Sequence, residues 1–454
     1  MSKVPTSLTV RMYQVGFGDC FLLTFNYPKG DDRHVLIDFG STQTPTKAAR
    51  KTDLVAVSRA IREVCKSAAH PDGKLTAVVA THRHKDHISG FATNDDGDGS
   101  GDIIAALKPD LVIQPWTEDP KAATDATAAQ GAGLSKTAFV RSLRQMNEFA
   151  AALVTEVQRR AAERAEAKLR TDPRLTELEF LGETNLANLS AVKNLMSMSA
   201  RSEYLAYGDK THLSKLLPGV MVHVLGPPNL RQSKEILKER ARDPDEFWHL
   251  LARSALPEPG ARADATKPLF PRRVVKPSDQ PPYTRWLIPQ LDRIPGEQML
   301  ELVRILDAAM NNTSVILLFE IDGRAFLFPG DAQIENWLYA LKHAPDREEK
   351  LALLRRVELY KVGHHGSLNA TPKTLWELFD LRSEDEASKT RLQTMVSTLE
   401  GKHGSPTRGT EVPREKLVAE LQAKSNFLST DSDEMGTAMA EAESLLCAKR
   451  SFTF

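Results

Sequence analysis

Cysteine is scarce: Cys20, Cys65 and Cys447 are the three in a chain of 454 residues. They lie far apart and form no CxxC pair, which excludes a structural zinc ribbon and a disulfide framework. An odd, sparse count suits a reducing compartment. Excess charge of one sign is also missing. Lys+Arg and Asp+Glu each count 60, for a formal net charge of zero. Bulk electrostatics therefore advertise no nucleic-acid partner, and any basic footprint has to be local. No apolar run reaches the roughly 18 residues of a membrane span, and residues 1–15 carry no apolar stretch of signal-peptide length. The reading is a cytoplasmic chain with no membrane partner; self-association stays open.

What is present is enough for a sizeable core, with 41% hydrophobic residues. Residues 8–15 alternate in part, Gly16, Gly18 and Asp19 break the run, and 20–25 resume it, which predicts a β-hairpin. A short strand at 35–38 ends at Gly40, a helix follows over 46–68, and a buried-type strand at 75–80 runs straight into polar residues. The acidic, Gly-rich stretch 92–102 looks like a calcium loop without its closing Glu and is read as a solvated loop. Residues 134–200 read as mostly helical, with Met146, Phe149, Ala150, Leu153 and Val157 at helical spacing and a solvated charged stretch after them. A strand at 220–225 closes at Gly226. Residues 229–300 are Pro- and Arg-rich and read as an insertion that flanks the site.

Core pattern returns with strands at 314–320 and 325–328, joined by Asp322-Gly323, and again at 357–362 and 393–397. Polar clusters at the ends of apolar strands, with helices between, predict an α/β fold. We expect one domain, with its core at about 8–133 and 305–454. Helical and irregular insertions at 134–304 would surround the strand near 220–225.

The strongest signal is Thr81-His-Arg-His-Lys-Asp-His87, three imidazoles and a carboxylate in six residues after a strand. In an extended turn His82 and His84 point the same way, because side chains alternate, and Asp86 and His87 can turn to a second position close by. Imidazole and carboxylate together suit first-row divalent ions such as zinc or manganese. Two more strands end in such donors: Phe328-Pro-Gly-Asp331, and Tyr360-Lys-Val-Gly-His364-His365. Strand C-terminal ends are where α/β sheets collect their sites.

HRHKDH resembles the HxHxDH signature of the metallo-β-lactamase superfamily. VGFGDCFLLTF, VLIDFGS, NNTSVILLFE, LFPGDA and KVGHHGS resemble the hydrolase domain of ComEC-type competence proteins and its stand-alone relatives. The resemblance covers about residues 8–115 and 310–405. It implies an αββα sandwich with two mixed sheets and large helical insertions. It implies two divalent metal ions, one held by His82 and His84, the other by Asp86 and His87, with Asp331 bridging. One of His364 and His365 completes the second site, with His364 preferred. Asp38 would fix a ligand imidazole by hydrogen bond. His403, in the segment 401–406, would contact a phosphoryl oxygen or protonate a leaving group. Ser367, Asn369 and Lys85 are candidate substrate contacts. Many superfamily members carry a further ligand histidine before the bridging Asp; the candidates His212, His223 and His249 lack a matching context.

The activity implied is hydrolysis by metal-activated water, with Asp86 and Asp331 accepting the water's proton or holding the hydroxide. A phosphodiesterase or nuclease acting on nucleic acid or a nucleotide is the first expectation, with the basic stretch 271–276 as a candidate backbone contact. Hydrolysis of a small ester, lactone or thioester is the second, since fold does not fix substrate. A non-enzymatic, metal-bound interaction subunit is the third.

Overall fold

The computed structural model describes residues 4–44, 53–119, 189–233, 310–367, 369–399, 411–431 and 447–454. Most of the helical stretch expected at 134–200 and the insertion at 229–300 lie outside the described residues, as do 271–276, His249 and His403.

Among the described residues, thirteen strands form two mixed sheets. The first contains β1 (Ser7–Tyr13), β2 (Cys20–Asn26), β3 (Arg33–Phe39), β4 (Ala77–Val79), β5 (Leu111–Pro115), β6 (Ser202–Leu205) and β13 (Cys447–Thr453), in the order β13-β1-β2-β3-β4-β5-β6. The second contains β7 (Met221–Gly226), β8 (Ile316–Ile321), β9 (Arg324–Phe328), β10 (Val357–Lys361), β11 (Gln393–Val396) and β12 (Asn426–Ser429), in the order β12-β11-β10-β9-β8-β7. Strands β3 to β6 run parallel, and so do β9 to β12. Antiparallel pairing joins β13, β1, β2 and β3 in the first sheet and β7, β8 and β9 in the second. The β8–β9 turn uses Asp322 and Gly323, both at positive φ (49° and 77°), which matches the right-handed twist of the strands it joins.

Period-two alternation sorts the side chains. Leu8, Val10, Met12, Phe21, Leu23 and Phe25 face Leu317, Phe319, Phe326 and Phe328 in one core between the sheets. The facing rings touch directly, Phe21 to Phe328 at 6.1 Å and Phe25 to Phe319 at 5.8 Å. Each such ring stabilises the fold by about 2–3 kcal/mol relative to exposure. The outer face of the first sheet buries Leu22, Leu36, Val78 and Val112 against α1 (Leu54–Val64), α3 (Ser100–Ala106) and α4 (Leu189–Ser197). The outer face of the second packs Ile316, Leu327 and Tyr360 against helices that include Trp337, Leu354, Trp376 and Leu421. The result is helices, sheet, sheet, helices.

One local expectation changes. Asp53 caps α1, accepting from the Ala56 amide at 2.7 Å, so the described helix is shorter than 46–68; residues 45–52 lie outside the described part. The stretch 92–102 is organised by its own polar groups. Asp102 accepts from the amides of Asn94 and Gly99, Asn94 bonds Asp98, and α3 starts at Ser100. Among the described residues no helix is long and apolar enough to cross a membrane.

Candidate metal centre

The loops after β3, β4, β9, β10 and β11 all leave the C-terminal ends of parallel strands and meet at one end of the sandwich. Close backbone approach draws two of them together. A Cβ on Gly40 would stand 2.5 Å from the Asp86 carbonyl carbon and 2.6 Å from the His87 nitrogen. A Cβ on Gly18 would stand 2.2 Å from the Gly40 oxygen. Only glycine permits this contact. The Asp19 amide then donates to the Asp86 carbonyl at 2.9 Å.

Residues Lys85–Ile88 form the short helix α2, which carries Asp86 and His87 inward, with His84 extended just before it (φ −61°, ψ 150°). Ligand atoms of Asp86, His87, Asp331 and His365 all lie within 4.8 Å of one another. His87 Nε2 is 2.9 Å from Asp331 Oδ2, and His365 Nε2 is 2.9 Å from Asp86 Oδ2. His82 Nε2 and His84 Nδ1 face each other at 2.9 Å, and the His82 ring centroid is 4.1 Å from that of His87. None of these six residues is more than 3% exposed.

The imidazoles are aimed from behind. His87 Nδ1 lies 2.8 Å from Asp38 Oδ2, and His365 Nδ1 lies 3.0 Å from the Ser397 carbonyl. An acceptor at Nδ1 keeps the proton there and leaves Nε2 to face the cluster, the arrangement a metal ligand needs. His82 Nδ1 rests 3.2 Å from the Thr81 hydroxyl, which itself donates to Asp38.

His365, and not the preferred His364, is the one placed with Asp86, His87 and Asp331. His364, His365 and Gly366 take positive φ in succession (46°, 53° and 84°). This turn sends the His365 ring inward, its centroid 4.5 Å from that of Phe17 and the two planes tilted by 47°. His364 is half-buried, and its Nδ1 lies 2.8 Å from Ser367 Oγ. Its amide still serves the site, donating to Asp331 Oδ1 at 3.0 Å. Ser367 is thus engaged with His364, while Lys85 and Asn369 are half-buried nearby in sequence. His223 is not brought to the cluster: it pairs with Glu320 across the β7–β8 ladder at 2.9 Å. His212 sits at the start of a short helix, its amide bonded to Glu203.

The donor set fits a divalent cation. Four carboxylates, Asp19, Asp38, Asp86 and Asp331, are buried at this end of the sandwich with one ammonium, Lys361, which contacts Asp19 and Asp331. Such an excess of buried negative charge demands positive partners. Asp86 Oδ1 is buried without a hydrogen bond. Burial would raise the Asp86 carboxyl, but His87 and His365 bring it down to about 2. Burial would likewise raise Asp331, and His87, Lys361 and His365 hold it well below the usual range. Burial lowers His82, helped by its imidazole neighbours. His87 and His365 go the other way, because the carboxylates around them outweigh burial.

Sequence reading did not assign roles to Asp19 or Lys361. The available signals were an Asp between glycine-broken strands and a lysine ending an otherwise buried strand. No family model and no curated protein matches this chain.

Proposed function

We propose that this chain is a metal-dependent hydrolase of the metallo-β-lactamase αββα type that cleaves a phosphodiester in nucleic acid or a nucleotide. The observation that carries the hydrolase reading is the buried convergence of Asp86, His87, Asp331 and His365, with His82 and His84 alongside, from loops of both sheets. The phosphodiester reading is supported by the likeness of HRHKDH, LFPGDA and KVGHHGS to ComEC-type hydrolases.

Two divalent ions, zinc or manganese, held by these donors would acidify water and stabilise charge building on the attacked centre. The chain's own groups do the rest. Asp38 and the Ser397 carbonyl hold His87 and His365 in the ligand tautomer. Asp86 keeps one oxygen uncommitted, an acceptor for a water proton. Phe17, packed on His365, covers one side of the cluster with an apolar ring.

The test is metal content by mass spectrometry, followed by cleavage of linear single- and double-stranded DNA with Mn²⁺ or Zn²⁺. Asp86→Ala/His87→Ala is the control, and simple esters, lactones and thioesters form a parallel arm. Metal-dependent DNA cleavage that the control lacks is the expected result. Bound metal with ester turnover alone would transfer the reading to a small-ester hydrolase. A chain that binds no metal and turns over nothing would end the enzyme reading and leave an interaction subunit.

A further inference from the structure

Behind the ligand cluster lies a buried ion pair that the hydrolase reading does not use. Lys361 ends β10 and is 2% exposed; Asp19, between β1 and β2, is fully buried. The Lys361 ammonium contacts Asp19 Oδ2, donates to the Gly330 carbonyl at 3.0 Å and lies 3.4 Å from Asp331 Oδ1. The buried ammonium thus has two hydrogen bonds, to Gly330 and Asp331, beside its ion pair with Asp19.

This contact divides the two oxygens of Asp331. Oδ1 takes Lys361 and the His364 amide, while Oδ2 faces His87 Nε2 at 2.9 Å and His365 Nε2 at 3.8 Å. A carboxylate held only at its backbone can exchange its oxygens by rotation. One pinned at Oδ1 by a cation and an amide presents Oδ2 alone. Asp19 reaches further, since its Oδ1 lies 3.6 Å from His365 Nδ1 and its amide holds the Asp86 carbonyl. A lone lysine beside a cation site would repel the cation. Paired with Asp19 it adds no net charge, so geometry is what it contributes.

We propose that Lys361, held by Asp19, is a positioning residue that locks Asp331 with Oδ2 turned to the ion bound by Asp86, His87 and His365. The inference rests on the metal-centre reading and deepens it.

The test uses the full chain, stripped with chelator and titrated with Mn²⁺ by calorimetry, then loaded with Co²⁺ to record its visible spectrum. The variants are Asp19→Asn and the double variant Asp19→Asn/Lys361→Met. The double variant removes both charges, so the pocket's net charge is unchanged and no ion is left unpaired. A change in affinity then reads position and not field. Mn²⁺ affinity should fall about ten- to a hundred-fold with cooperative unfolding retained, and the Co²⁺ bands should shift. Asp19→Asn keeps the side-chain shape but leaves Lys361 unbalanced, so its lower affinity reads field as well as position and only its Co²⁺ spectrum reads geometry. If the double variant does not fold, shifted Co²⁺ bands in Asp19→Asn carry the test, and unshifted bands overturn the positioning role. Wild-type affinity and an unchanged Co²⁺ spectrum in a folded variant would overturn the positioning role. A wild-type chain that binds neither Mn²⁺ nor Co²⁺ would overturn the metal centre, and this role with it.

Discussion

Asp38 and His87 join the frame of the first sheet to the candidate site, with Asp38 Oδ2 2.8 Å from His87 Nδ1. The same carboxylate accepts from the amide and the hydroxyl of Thr81, each at 2.7 Å. It sits at the end of β3 with φ 54°, a conformation uncommon for residues other than glycine, so the surrounding bonds hold the backbone in place. One residue thereby sets both the start of the histidine-rich turn and the tautomer of its last imidazole.

Asp38→Asn is expected to keep the fold and damage the site. An amide can still accept from Thr81, but its nitrogen would then donate to His87 Nδ1 and move the imidazole proton to Nε2. Metal affinity should drop about ten- to a hundred-fold, with little change in melting temperature. Calorimetric titration with Mn²⁺ reads this directly, and an undiminished affinity would refute the orienting role.

Gly40→Ala tests the seam between the loops. The added methyl would stand 2.5 Å from the Asp86 carbonyl carbon, a contact that forces the backbone of one loop to shift. We expect a loss of about 3 kcal/mol or more in denaturant unfolding, at the upper end of overpacking costs. Stability equal to wild type would show that the two loops do not approach as closely as described.

The parts of this site that could be read from sequence were those written locally. His82, His84, Asp86 and His87 occupy a single turn, so their spacing alone announces a ligand cluster. Asp331 and the His364–His365 pair follow apolar strands, and strand ends in an α/β pattern converge. What could not be read depends on contacts between distant segments. The pairing of Asp19 with Lys361 exists only because the β1–β2 loop of one sheet packs on β10 of the other. The choice of His365 over His364 follows from two consecutive left-handed residues, which no propensity of histidine foretells. The strands at 8–15, 20–25 and 325–328 lie close to their expected places because alternation and Gly or Asp-Gly breaks mark them in sequence.

Buried His34 should make the fold acid-sensitive on its own account. Burial lowers its pKa from 6.5 to about 4, and its Nδ1 lies 3.2 Å from the Thr24 hydroxyl. The unfolded chain therefore binds the proton more readily between those values. The contribution is full above pH 6.5 and is lost as pH falls towards 4, amounting to about 3 kcal/mol. His34→Gln should flatten the stability profile across that window relative to wild type, measured by urea unfolding at a series of pH values. Parallel profiles for the two proteins would contradict a neutral, buried imidazole.

Metal removal should cost stability as well as activity, because the cluster carries more negative charge than its one ammonium balances. An ion that binds the folded chain and not the unfolded one stabilises it by about 2.7 kcal/mol at a hundred times its dissociation constant. Thermal unfolding should therefore shift upward with added Mn²⁺ or Zn²⁺ and return on chelation. In Asp86→Ala/His87→Ala the shift should vanish, since two of the four converging donors are gone. The same upward shift in wild type and in that variant would place the ion elsewhere on the chain. No shift in either would mean that the buried carboxylates are balanced by protonated His87 and His365, as their raised affinity for protons allows.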